Sequence, residues 1–453
     1  MNIIILGAGK VGEAIAKDLA DEQHDITLIE KDEKRFESMM NQYDIKGIAG
    51  NGASYEILEE ASVEEADVFL AVTENDELNM IACVLANNMG AKETVARVRN
   101  PEYANLSNLM SRSLGITNII NPELQAAQSC LKLIEFPMAD SFESFSNDKA
   151  AIVEMDVSSA FPLVNRNLVE FRQKYSNIIV CFTQQQGDYF IPKGDHVIRK
   201  NDELFVTGPF HELIQLYKDN GQTNEKIRSI LIIGGGLVAE YVIKLFKNSH
   251  VKIKLIESDE KRAHQLSMDY PHVEVINEDG TSITVLEEQG AMHYDALLAL
   301  TGIDEENIIV SMVAEKLGIK KRLTKINRTE LLSIVGTVGL QSIITPKRIT
   351  ADHIIQYVRA LGNSQGSNVE ALYKIADDQV EALQFVVKRG SKACQKSLKD
   401  TNFIDNVLIA YIYREGKVLF PSGNDKMLPH DRVIVISTGE KHLKDLDEII
   451  IWI

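Results

Sequence analysis

The chain has 453 residues, 45% of them apolar and 25% charged, with a formal net charge of −18. That length is too great for one hydrophobic core, so several domains are expected. The acidic surplus disfavours nucleic acid or an anionic lipid surface as a general partner, since both would be repelled. Cys83, Cys130, Cys181 and Cys394 are scattered, at no metal-ligand or redox spacing, as expected of small apolar residues in a reducing cytosol. No run of about 18 apolar residues occurs, and the chain starts directly on a strand without a basic start, so neither a membrane span nor a signal peptide is predicted. The apolar tail 448–453 reads as a docking strand or helix end.

The first half opens with a strand over 2–6, a turn, a helix over about 11–22 and a strand over 25–30. Val11, Ile15 and Leu19 fall at helical spacing. A helix near 32–42, a strand near 45–49 and a helix near 54–61 follow. The apolar run Val68 to Val72 reads as a parallel strand covered on both faces. Glu74 to Met89 reads as a helix ended by Gly90, then a strand over 95–98, a closing stretch over 115–122 and a helix over about 123–135. Alternating strands and helices predict a doubly wound parallel sheet. Pro137 to Lys149 is polar and broken, and reads as a linker. Alternating strands near 151–157, 177–182, 189–192 and 203–207, with a turn at Gly187-Asp188, then predict a small β-rich α+β module.

The pattern restarts with a strand over 230–233, a helix over 237–247, and strands over 251–256 and 296–300. Ile343 to Pro346 answers Ile119 to Pro122. Gly362 to Asn368 is a Gly/Ser-rich linker, and a second β-rich module begins near 370. Within it, Phe420 to Gly423 with Asp431 echoes Ile191 to Gly194 with Asp202. The fold class predicted is α/β: two tandem Rossmann-like sheets, each followed by a small β-rich α+β subdomain. The segments are 1–136, 137–225, 226–361 and 362–453.

Gly7, Gly9 and Gly12 form a G-x-G-x-x-G after a strand and before a helix, with Glu30 ending the next strand. Gly7 permits the tight turn, Gly9 admits a pyrophosphate, and Gly12 lets helix and sheet approach. Lys10 and Val11 start the helix whose N-terminal amides would meet phosphate. Glu30 would accept hydrogen bonds from ribose hydroxyls and disfavour a 2′-phosphate, which favours NAD(H) over NADP(H). The copy 227 residues on has Gly234, Gly236, Ala239 and Glu257. Asn51 and Gly52 follow the third strand where a loop would meet adenine; their partners are Asp279 and Gly280. Thr73, Asp76 and Asn79 lie at the sheet's carboxyl edge and are answered by Thr301, Asp304 and Asn307; helix capping by Thr73 or Asp76 is an alternative that can coexist with ligand contact. Arg97 and Arg99 suit an anionic group, with surface ion pairing as the alternative, and the second copy reads Lys325-Ile326-Asn327-Arg328.

The ten histidines fall in no relay or metal pattern, and no nucleophile elbow, P-loop lysine or HExxH occurs. A sensor is therefore expected; an NAD-dependent oxidoreductase with duplicated Rossmann domains and a scaffold with vestigial sites are the alternatives.

The stretches 7–12, 25–30, 72–80 and 96–103, with the A–B–A′–B′ order, resemble the TrkA family, the cytoplasmic nucleotide-binding subunits of bacterial Trk potassium uptake systems, built of tandem regulator-of-potassium-conductance (RCK) halves. The resemblance implies NAD(H) binding, with ATP or ADP as further ligands. It implies an integral membrane Trk-type potassium channel or transporter as partner, a homo-oligomeric ring, and peripheral attachment at the inner face of the plasma membrane. Gly7, Gly9, Gly12, Glu30, Thr73, Arg97 and Arg99 match the family's ligand positions. Asn51 stands where many relatives carry an acid, which Asp279 keeps, so unequal sites are implied.

Overall fold

The structure is a computed structural model; it describes residues 1–21, 24–104, 113–145, 150–185, 188–222, 225–328, 331–332, 340, 342–362, 369–376, 379–438 and 443–451. Gly187 of the predicted turn, the predicted linker after Gly362 and the last two residues of the tail lie outside these. The chain forms two compact units, each assembled from two separate segments. One joins Met1–Ile134 with Ile227–Ile355, and the other joins Glu135–Lys226 with Gln356–Ile453.

The first unit holds two six-stranded parallel sheets. In the first sheet, β1 (Asn2–Leu6), β2 (Asp25–Glu30), β3 (Lys46–Ala49), β4 (Val68–Ala71), β5 (Glu93–Arg97) and β6 (Asn118–Ile120) run in the order β3-β2-β1-β4-β5-β6. Helices α1 (Lys10–Asp21), α2 (Glu33–Gln42), α3 (Tyr55–Glu60) and α4 (Asp76–Met89) connect them. Strands β1 and β4 are almost wholly buried because helices cover both sheet faces. Helix α1 seats Val11, Ile15, Ala16 and Leu19 in the core. Helix α4 stops at Gly90, whose φ of +117° a side chain would strain.

Leu6 pairs in register with Ile29 and with Ala71. Strands β1, β2 and β4 therefore end level, and the residues just past them share one carboxyl edge. The order reverses between β1 and β4, which is where a doubly wound sheet opens its crevice. The second sheet repeats this as β14-β13-β12-β15-β16-β17, from β12 (Ser229–Ile233), β13 (Lys252–Glu257), β14 (Glu274–Asn277), β15 (Ala296–Ala299), β16 (Lys321–Lys325) and β17 (Ile343–Ile344). The two halves meet inside this unit. The Asn121 amide donates to the Tyr241 hydroxyl at 2.6 Å, and that hydroxyl donates to the Arg99 carbonyl at 3.0 Å.

The other unit holds two five-stranded antiparallel sheets, β10-β9-β11-β8-β7 and β18-β19-β22-β20-β21. Their strands are β7 (Phe142–Phe145), β8 (Ala150–Asp156), β9 (Ile179–Gln185), β10 (Asp188–Phe190), β11 (Glu203–Thr207), β18 (Val369–Ile375), β19 (Val380–Val386), β20 (Val407–Arg414), β21 (Lys417–Leu419) and β22 (Arg432–Ser437). The sheets share one apolar core, in which Phe145, Phe182 and Phe205 pack with Ala382, Tyr411 and Ile434. The stretch read as a linker, 137–149, carries β7, which pairs antiparallel with β8. Its polar residues hid it, because an edge strand needs only one apolar face. Two helices not assigned from sequence, Leu168–Lys174 and Phe210–Asp219, also belong here; the latter buries Leu213, Leu216 and Tyr217. Of the apolar tail, Ile449 is buried in the second subdomain's core.

Candidate functional site

A cleft of about 820 Å³ opens at the carboxyl edge of the first sheet. Gly7, Gly9, Lys10 and Val11 form one wall, Glu30 and Asn51-Gly52 another, and Thr73, Arg97 and Arg99 a third. Gly7 has φ +108°, and an added Cβ would stand 3.2 Å from the Thr73 backbone. A Cβ on Gly9 would meet nothing within 4 Å, so this face of the loop is open to a ligand. Gly12 lies beneath the loop instead; a Cβ there would sit 1.9 Å from the Gly7 carbonyl oxygen. Gly52 presses on the Leu6 side chain, 2.3 Å from its missing Cβ.

The Glu30 carboxylate is only 7% exposed and holds the glycine loop in place. It accepts from the amides of Ala8 (2.6 Å), Lys31 (2.9 Å) and Asp32 (2.9 Å). A carboxylate has about four acceptor sites, so a ribose hydroxyl can still be bound. Thus Glu30 shapes the loop as well as facing the cleft.

Asp76 and Asn79 do not line the cleft. They build the ledge behind it. Asp76 accepts from the amides of Arg99 and Asn100, both at 2.8 Å. Asn79, fully buried, accepts from the Thr73 amide (3.0 Å) and hydroxyl (2.7 Å) and donates to the carbonyls of Thr73 (3.1 Å) and Arg97 (2.8 Å). These bonds tie the ends of β4 and β5 together. The cap of α4 is neither Thr73 nor Asp76 but Asn75, whose side chain accepts from the Leu78 amide at 2.6 Å.

The cationic wall is partly buried. Arg97 is 7% exposed, and burial pushes its pKa down; its Nη2 is 3.9 Å from Glu123, and its Nε has no hydrogen-bond partner among the described residues. Burial raises the Glu123 carboxyl, although Arg97 opposes this. Arg99 donates to the Glu74 carbonyl. A buried guanidinium with a spare donor beside an open glycine loop fits an anionic, phosphate-bearing ligand.

The second half keeps the frame. Glu257 accepts from the Gly235 amide at 2.6 Å. Asn307 links Thr301 to the Lys325 carbonyl, and Asp304 accepts from the amides of Asn327 and Arg328. Gly234 has φ +95°, and a Cβ on Gly236 would meet open space. Asp279 turns its own loop by accepting from Thr281, while Gly280 packs on Ile233. Ala239 is wholly buried at the place of Gly12.

The architecture and the glycine loops define a protein with a duplicated Rossmann-like dinucleotide fold, each copy accompanied by an antiparallel subdomain. The TrkA-N domain pattern matches residues 3–122 and 230–346, and the TrkA-C domain pattern matches 152–221 and 382–449. The chain belongs to the TrkA family. It is 31% identical to the Archaeoglobus fulgidus Trk system potassium uptake protein TrkA homolog over 449 residues, covering 99% of this chain and 100% of that protein. It is 30% identical to Halomonas elongata Trk system potassium uptake protein TrkA, over 99% and 98% of the two chains. Among solved structures, the GsuK RCK domain superposes with a TM-score of 0.60 at 16% identity, over 97% and 92% of the two chains. The GsuK channel bound to NAD superposes with a TM-score of 0.61 at 16% identity, over 97% and 77%.

Among the described residues no helix is long and apolar enough to cross a membrane, and no group of three His, Cys, Asp or Glu residues is placed to hold a metal.

Proposed function

We propose that this protein is a cytoplasmic, nucleotide-sensing regulatory subunit of a Trk-type potassium uptake system. It attaches peripherally to an integral membrane channel or transporter and works within a homo-oligomeric ring. Residues 1–136 and 226–361 are the nucleotide-binding domains, and 137–225 and 362–453 the C-terminal subdomains. The observation that carries the reading is the first cleft, where an open glycine loop, the Glu30 carboxylate and the buried Arg97 face one space. The names of the relatives and the NAD of the GsuK channel support the same reading.

In it, NAD(H), ATP or ADP is an effector and not a reactant. The loop amides and the N-terminal turn of α1 hold the phosphates, Glu30 the ribose, and the Asn51-Gly52 turn the adenine side. A ligand that fits one arrangement of the ring better than another shifts the population by its differential affinity.

Calorimetric titration of the full chain with NADH, NAD, ATP and ADP tests binding. Co-purification with a multi-helix potassium-translocating protein, followed by nucleotide-dependent flux in vesicles, tests regulation. Absence of binding heat, or steady consumption of NADH with a carbonyl substrate, overturns the reading.

A further inference from the structure

The first cleft is not built by the first half alone. Asn327, just past β16, and Lys347, in the first turn of the helix Pro346–Gly362, line it from the second half. Lys347 is half-buried. Its ammonium is held below the ordinary lysine range, first by burial and next by the positive charges of Lys10 and Arg97; Asp304 and Glu74 act in the opposite sense. Cations from three elements therefore converge on one space, Lys10 at the glycine loop, Arg97 from β5 and Lys347 from the opposite half, within a lining that also carries Glu13, Glu30, Glu74 and Glu123. Like charges gathered in a partly desolvated space repel, and an anion placed among them relieves that repulsion.

The counterpart positions show that this is not a by-product of the repeat. Aligned through Pro122 and Pro346, Lys347 answers Glu123, so the helix that starts with an acid in the first half starts with a base in the second. Leu237 stands at the place of Lys10. The charge that reaches across is thus opposite in the two directions, since Glu123 lies close enough to Lys325 to stabilise its charge. The first cleft gains a cation from its neighbour, and the second half's lysine gains an acid.

We propose that Lys347 is a ligand-contacting specificity residue of the first nucleotide site, reading across the two halves the phosphates that lie beyond the glycine loop's grip on a nucleoside polyphosphate. The inference rests on the first cleft being a nucleotide site. It makes that site complete only when the two halves are docked, so a bound polyphosphate bridges them.

The test is titration of the full-length protein with AMP, ADP and ATP, for the wild type and for Lys347→Gln and Lys347→Arg. Loss of one charge-assisted contact is expected to weaken ATP about tenfold, ADP less and AMP hardly at all, with Lys347→Arg restoring most of the ATP affinity. A merely structural lysine would weaken all three alike. Equal losses, or no loss, in Lys347→Gln overturn the proposal while leaving the nucleotide reading intact. A wild type that binds none of the three overturns the proposal, and one that binds neither NAD nor NADH as well overturns both. Thermal melting of each variant without nucleotide separates lost contact from lost fold.

Discussion

The two Rossmann halves share a frame and differ in what stands upon it. Asn79 and Asn307 make the same main-chain bonds from the same buried place, as do Asp76 and Asp304. These are bonds to main chain, and a main chain duplicated with its fold needs them twice. The ligand-facing side chains diverge. In the second half, Arg262 donates to the Gly235 carbonyl at 2.8 Å and to Glu240 at 2.7 Å, and Tyr270 donates to the same carboxylate. Its counterpart Arg35 lines the first cleft instead. Scaffold residues are bound by the geometry of the sheet, whereas cleft residues answer only to the ligand, so a duplicated site diverges there first.

The sharpest test of that contrast is charge placed on each glycine loop. Gly9→Asp is expected to cut nucleotide affinity at the first half by at least about a hundredfold, because a carboxylate would face phosphate, with little change in melting temperature because the Cβ has room. Gly236→Asp has the same room, and its effect on calorimetric stoichiometry shows whether the second half binds at all. Unchanged affinity in Gly9→Asp removes the first cleft as the site.

Equivalence of the frames predicts equal damage. Asn79→Ala and Asn307→Ala should each cost about 2–3 kcal/mol in urea unfolding, since each leaves buried main-chain groups without partners. A large cost in one half alone would break the comparison.

A pH effect is expected in the unit of antiparallel sheets. Burial raises the Glu154 carboxyl to about 8, helped by Asp140. A carboxyl with a raised folded pKa holds its proton while the unfolded chain has lost it. Stability therefore falls as pH rises from the unfolded carboxylate range to about 8, then levels. Glu154→Gln should flatten this slope, part of which remains with Asp156 and Glu203, also raised by burial, and add about 2 kcal/mol at pH 8; an unaltered pH profile of melting would refute it.

The smallest effect is expected at the arginine latch. Arg262→Ala should free the Gly235 carbonyl and lower stability by about 1 kcal/mol, where Arg35→Ala should alter nucleotide affinity and leave stability nearly unchanged. Matching changes in both melting and titration would erase the difference between the two loops.

Much of the fold was legible because its signals are local. Apolar runs such as Ile3 to Leu6, glycines at fixed offsets and an acid at a strand end report the backbone conformation and burial of their own segment. The repeat at 227 residues then implied the same reading twice. The strand β7 was not legible, since four residues with one covered face carry too little pattern. The helix cap lies at Asn75, not at Thr73 or Asp76, where the sequence offers it as an alternative to ligand contact, because capping depends on backbone angles that adjacent Thr, Asn and Asp residues signal equally well.

The sequence by itself determined two dinucleotide folds, their glycine loops, and the acids Glu30 and Glu257 that follow them. Only the tertiary structure decided that separated segments combine into two units, that Asp76 and Asn79 support the cleft from behind, and that Asn327 and Lys347 enter it from the other half. The physical reason is range. Periodicity records what a residue does for its own helix or strand, whereas a charged side chain reaching across to another sheet leaves no period in its own segment, and its role exists only once the two sheets are brought together.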